Sequence, residues 1–178
     1  MTLDKGFITH YILGYDTGVP AAVIIGVCVL VCAVTLALFL VSTNYSLFVR
    51  QASYCLFMGY LFLVLCTTIF FREEKVGERI YLQPLWSYAH LYEKLLAEII
   101  LNVIMFIPIG FFAGGALKKK HVWNVIKIGI VLSLFIETTQ LVTTRGVFSV
   151  DDIIHNTLGG VIGFLCFVLC YKFVRHFA

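Results

Sequence analysis

Seven polar side chains stand where chemistry could be done in this otherwise apolar chain: Arg72, Asn102, Glu137, Gln140, Arg145, Asp152 and Asn156. Charged groups inside a membrane are expensive and mark function by default. Glu137 and Asp152 are the candidate catalytic pair, as acid and base, or as ligands, with Asp151, of a divalent cation held against a phosphate. Arg72 and Arg145 could grip phosphate or carboxylate with two parallel N–H bonds. Asn102, Gln140 and Asn156 could orient a ligand. No nucleophile motif and no metal-binding motif is present, so no resident cofactor is expected beyond such a cation.

The elements that must position these groups follow from composition. The chain has 178 residues, 61% hydrophobic and 13% charged, with a mean hydropathy of +0.97. Soluble domains are about 45–50% apolar. The excess means that lipid is the main solvent, and predicts an all-α, polytopic bundle of about five transmembrane helices in one domain covering residues 1–178. Spans are expected at roughly Ala21–Val41, Tyr54–Phe71, Ala97–Leu117, Asn124–Val142 and Asn156–Phe173. The first run is too long for the apolar core of a cleaved signal and suits a span. Residues 1–20 are expected to lie along the membrane surface. So is the loop 72–96, whose Tyr81, Trp86, Tyr88 and Tyr92 suit the membrane–water interface.

The net charge of +3 is spread over loops and offers no basic face for nucleic acid. Cys28, Cys32, Cys55, Cys66, Cys166 and Cys170 all lie in apolar runs, where cysteine packs as a small hydrophobe. With five spans, Arg50, Lys118, Lys119, Lys120, Lys127, Lys172 and Arg175 fall on one face; Lys5, Arg72, Lys75, Arg79, Lys94 and Arg145 fall on the other. The compact lysine loop tips the assignment to an outside N-terminus and a cytoplasmic C-terminus.

This topology brings the candidate residues to one membrane boundary. Arg72 closes the second span and Asn102 lies about one turn inside the third, with Glu98 one turn before it. Glu137 and Gln140 share a side near the end of the fourth. A helix starting near Asp152 would align Asp152, Asn156, Gly159 and Gly163 in one stripe, polar above and glycine below, facing protein. Gly110 and Gly114 give the third span a matching small face. Asp151 suits a helix N-cap. Glu137 could instead form a packing ion pair with Arg72 or Arg145, His155 suits a surface or interface position, and Pro108 a tolerated kink.

The stretch NVIMFIPIGFF, then IETTQ, then RGVFSVDDIIHNTLGGVIG resembles the VanZ-like family of small bacterial membrane proteins. The resemblance runs from about Arg72 to the C-terminus. It is carried by Asn102, Phe106, Pro108 and Gly110, by Glu137 and Gln140, and by Arg145, Asp152, Asn156 and Gly159. Ser149 stands near a position where the family has an aspartate. The resemblance implies a multi-pass protein of the bacterial cytoplasmic membrane, acting at the cell envelope and associated with teicoplanin resistance. Its expected partners are a membrane lipid, a lipid-linked cell-wall precursor or a lipoglycopeptide, bound near one membrane face. A membrane enzyme modifying a phospholipid or polyprenyl-phosphate substrate is the alternative. A proton-coupled transporter fits less well, since there is no inverted repeat; a homodimer is compatible with either reading.

Overall fold

The computed structural model describes residues 19–42, 44–74, 77, 80–90 and 93–177. The expected N-terminal surface segment therefore lies almost wholly outside the described residues, as do Lys75, Arg79 and Tyr92. Among the described residues, five helices are long and apolar enough to cross a membrane.

Helix α1 (Ala21–Val41) follows the sequence expectation residue for residue and buries no side chain within the bundle, as befits a helix solvated by lipid. Helix α2 (Tyr45–Leu65) starts well ahead of the expected Tyr54. The cause is Asn44, whose side-chain oxygen accepts from the Ser46 and Leu47 amides at 2.9 and 3.2 Å. Such a cap satisfies otherwise orphaned donors and draws Arg50 and Gln51 into the helix. The span continues as a single π-helical turn, Cys66–Phe70. There the Thr67 and Thr68 hydroxyls both donate to the Val64 carbonyl, at 2.9 and 2.7 Å. Turns of this kind recur at functional sites.

The loop that follows carries strand β1 (Ile80–Tyr81) and a short helix α3 (Trp86–Ala89). Helix α4 (Glu93–Ala116) runs unbroken through Pro108, so that residue is accommodated within a spanning helix. Helix α5 (Val122–Val142) ends just before Thr144, which adopts a left-handed φ of 60°. Strand β2 (Phe148–Ser149) then leads directly into helix α6 (Val150–Phe177). β1 and β2 pair in parallel, Ile80 with Phe148 and Tyr81 with Ser149. This small ladder ties the loop after α2 to the start of α6.

The closest packing is between α4 and α6, and glycine makes it. A Cβ on Gly110 would collide with the Gly160 carbonyl, one on Gly159 with the Val103 carbonyl, and one on Gly163 with the Ile107 carbonyl. Backbone therefore lies on backbone, as the glycine stripe predicts. Val64, Ile69, Phe106, Ile109 and Ile136 form the core between α2, α4 and α5. All six cysteines are free, and Cys28, Cys32, Cys166 and Cys170 point outward.

Candidate functional site

The end of α2, the start of α4, the end of α5 and the start of α6 meet at one end of the bundle. They enclose a cavity of about 690 Å³. Helical spacing explains each contribution. On α4, Lys94, Glu98 and Asn102 recur every fourth residue and line one wall. On α5, Glu137 and Gln140 line another, and on α6 Asp152 and Asn156 do the same. The π turn supplies Thr67 and Thr68, with Arg72 just beyond it. Tyr60, Leu63, Leu101, Ile104 and Met105 make an apolar side. Phe71, Glu73, Glu74 and Lys94 are exposed around the mouth.

The polar groups are held by specific hydrogen bonds. Asn102 Nδ2 donates to Asp152 Oδ1 at 2.8 Å, bridging α4 and α6. Glu137 is 3% exposed, and its Oε2 accepts from the Ser149 amide at 3.0 Å, fixing the β2 loop over the end of α5. Gln140 Nε2 donates to the Thr68 carbonyl at 3.0 Å, within the π turn, where the altered register leaves carbonyls available. Asn156 is 2% exposed. Its Nδ2 donates to Ser133 Oγ at 2.8 Å, while its Oδ1 is buried without a hydrogen-bond partner among the described residues.

Six of the seven residues singled out in the sequence therefore line one cavity: Arg72, Asn102, Glu137, Gln140, Asp152 and Asn156. Arg145 does not line it. Its Nη1 donates to the carbonyls of Ile69 at 3.1 Å and Phe70 at 2.6 Å. It thus satisfies the orphan acceptors at the C-terminal end of the second span, where a cation is favoured.

Asp151 also departs from expectation. It sits within the first turn of α6, and does not cap it. Its carboxylate turns away from the cavity and accepts from the Leu85 amide at 2.6 Å and the Ser87 amide at 2.8 Å. These bonds hold α3 against the bundle and secure Leu85, whose φ of 63° is left-handed and costly for such a residue. One turn on, His155 Nε2 lies 2.8 Å from the Tyr88 hydroxyl. His155 is buried rather than at the surface. Trp86 stacks between Tyr81 and His90, with centroids 4.3 and 4.5 Å away.

Several contributors were passed over in the sequence. Ser133 precedes Glu137 by one turn and Gln140 by two, so its place on the polar side of α5 was open to periodicity. Thr67 and Thr68 close an apolar span just before Arg72. The Ser149 amide carried no signal, because a backbone donor is identified only by the fold. Among the described residues, no group of three or more His, Cys, Asp or Glu side chains is arranged to hold a metal ion.

The VanZ/LLP1 family matches residues 57–171, from the middle of α2 to near the end of α6. Protein VanZ of Enterococcus faecium is 35% identical over 79 residues, which is 44% of this chain and 49% of that protein. The chain thus spans about half the length of the curated relative it matches. No solved structure matches it. The match covers most of the chain and every helix that lines the cavity, and the chain belongs to the VanZ/LLP1 family.

Proposed function

We propose that this member of the VanZ/LLP1 family works at the bacterial cell envelope by taking the polar head of an amphiphile into the cavity between α2, α4, α5 and α6. The amphiphile is a membrane lipid, a lipid-linked cell-wall precursor or a lipoglycopeptide such as teicoplanin. With the N-terminus outside, the cavity opens on the outer face of the cytoplasmic membrane, where all three are met.

One observation carries the reading: the cavity is two-sided. Its floor presents Asn102, Glu137, Gln140, Asp152 and Asn156, while Leu101, Ile104 and Met105 continue it along α4. Ile104 lines the cavity yet is 48% exposed, in a part of the helix solvated by acyl chains. A polar head could lodge among the amides and carboxylates while its chain stays in lipid. The exposure of that apolar side on a spanning helix, more than its being apolar, favours a ligand with an acyl chain. Glu137 and Asp152 line the same space, which also supports an enzyme acting on such a lipid with these two as acid and base.

The test is susceptibility to teicoplanin beside vancomycin in a sensitive Gram-positive host carrying empty vector, this protein or Glu137→Gln, with membrane expression matched. We expect a rise confined to teicoplanin, lost in Glu137→Gln. No rise at good expression would remove the antibiotic from the reading. Full activity of Glu137→Gln would remove the cavity from it. Lipid extracts from the same strains separate binding from turnover: a lipid species altered only by the unmodified protein would establish the enzyme.

A further inference from the structure

We propose that Arg145 is a positioning residue: with Gln140 it stops the second span at Phe71 and so lays Arg72, Glu73 and Glu74 across the mouth of the cavity, an inference that rests on the cavity being the working site. The last carbonyls of a helix have no partner of their own, and here three in succession are claimed from outside. Gln140 Nε2 donates to the Thr68 carbonyl at 3.0 Å. Arg145 Nη1 donates to the carbonyls of Ile69 at 3.1 Å and Phe70 at 2.6 Å. In a continuing α-helix these same three carbonyls would accept from the amides of Arg72, Glu73 and Glu74, each four residues on. The side-chain donors compete for those acceptors. The span closes instead on the Phe71 amide, which donates to the Cys66 carbonyl at 2.9 Å across the π turn. Residues 72–74 form no helix, and all three line the cavity.

The turn after α5 builds this clamp. Thr144 takes its left-handed φ there, and the Arg145 amide donates to the Gln140 carbonyl at 3.0 Å. Gly146 is buried, and a Cβ on it would collide with the Gln140 side chain, so the turn can fold down on Gln140 only with glycine at this position. Gln140 and Arg145 are thereby held together, both directed at the end of the second span. A single nitrogen of Arg145 serves both of its carbonyls. The two-pronged geometry that suits a guanidinium to phosphate is not what these bonds use, and a lysine ammonium, with three donors, can replace it.

Arg145→Lys and Arg145→Met are compared with the parent as full chains in phospholipid nanodiscs. Hydrogen exchange is followed at the amides of residues 72–74. Separately, a photoreactive p-azidophenylalanine in place of Glu73, at the exposed mouth, is cross-linked and its targets mapped by mass spectrometry. In the parent and in Arg145→Lys we expect fast exchange at 72–74 and cross-links to the α4 wall around Lys94, Glu98 and Asn102. In Arg145→Met the helix runs on: exchange at 72–74 slows about fivefold, as one hydrogen bond gained per amide warrants, and the cross-links to α4 are lost. General loosening of the bundle would speed exchange there, so a merely structural role moves this readout the other way. Gln140→Met removes one of the three bonds and should give the same changes at smaller size, which keeps the test open if Arg145→Met does not fold. Unchanged or faster exchange at 72–74 in the methionine variants, or Arg145→Lys behaving as Arg145→Met does, would overturn the inference. Neither readout needs a ligand. The expected changes beside full activity of Glu137→Gln would therefore keep Arg145 as the residue that places 72–74 and overturn only the cavity as the working site.

Discussion

Asp151 and Asp152 are neighbours in the first turn of α6, yet they belong to different parts of the molecule. Asp152 faces α4, bonds Asn102 and lines the cavity. Asp151 faces α3 and accepts two main-chain amides. The division continues one turn later, with Asn156 toward the cavity and His155 toward Tyr88. On the α3 side, Asp151 is matched to two fixed donors whose positions the loop supplies. On the cavity side, Asp152 and Asn156 bond the side chains of Asn102 and Ser133 and line the cavity. A helix turn that seals a loop with one face and lines a cavity with the other separates scaffold from site.

The largest effect should come from a change that spares neither face. Gly163→Val would drive a side chain into the Ile107 carbonyl, and neither α4 nor α6 can yield without parting along their whole contact. We expect loss of the folded protein from detergent extracts, seen as aggregation in size exclusion. A monodisperse, stable Gly163→Val protein would mean that the α4–α6 contact is not what sets the cavity wall. Next come the two aspartates, compared directly. Asp151→Ala leaves the Leu85 amide and the buried Ser87 amide without their acceptor, costing about 2–4 kcal/mol, and frees Leu85 to leave its left-handed backbone conformation. The readouts are a lower thermal midpoint and faster hydrogen exchange over residues 85–90. Asp152→Asn keeps a polar isostere beside Asn102 and should leave stability within about 1 kcal/mol while abolishing activity. If the two variants behaved alike in both assays, the division between scaffold and site would be wrong.

The sequence carried the bundle and most of the cavity because both depend on spacing within helices. Periodicity placed Glu137 beside Gln140, and Asp152 and Asn156 above Gly159 and Gly163, before any contact was known. It could not place Arg145. That residue lies beyond the end of α5, where no helical period fixes direction, and carbonyls from a distant span claimed it. Asp151 escaped for a related reason: its partners are main-chain amides of residues more than sixty positions earlier, which have no signature in side-chain type. The early start of α2 was legible in Asn44, a residue that caps well, but the apolar run alone drew the boundary at Tyr54. What depends on helical period could be read in advance, and what depends on long-range main-chain pairing could not.

The finest test of the division is Tyr88→Phe. It removes only the hydroxyl that meets His155 Nε2 at 2.8 Å. His155 is 2% exposed and its Nδ1 already lacks a hydrogen-bond partner among the described residues, so the variant leaves both ring nitrogens without one there. The loss should be about 1–2 kcal/mol, less than for Asp151→Ala, because Asp151 still holds the Leu85 and Ser87 amides. Replacing His155 as well, in Tyr88→Phe with His155→Leu, substitutes apolar groups for both partners and should recover most of that loss. Hydrogen exchange over residues 85–90 reports the loop, and antibiotic susceptibility reports the cavity. If this pair is scaffold, the first readout moves and the second does not. Lost function in Tyr88→Phe at unchanged loop exchange would instead put His155 to work in the site, and the line between the two faces of α6 would have to be redrawn through it.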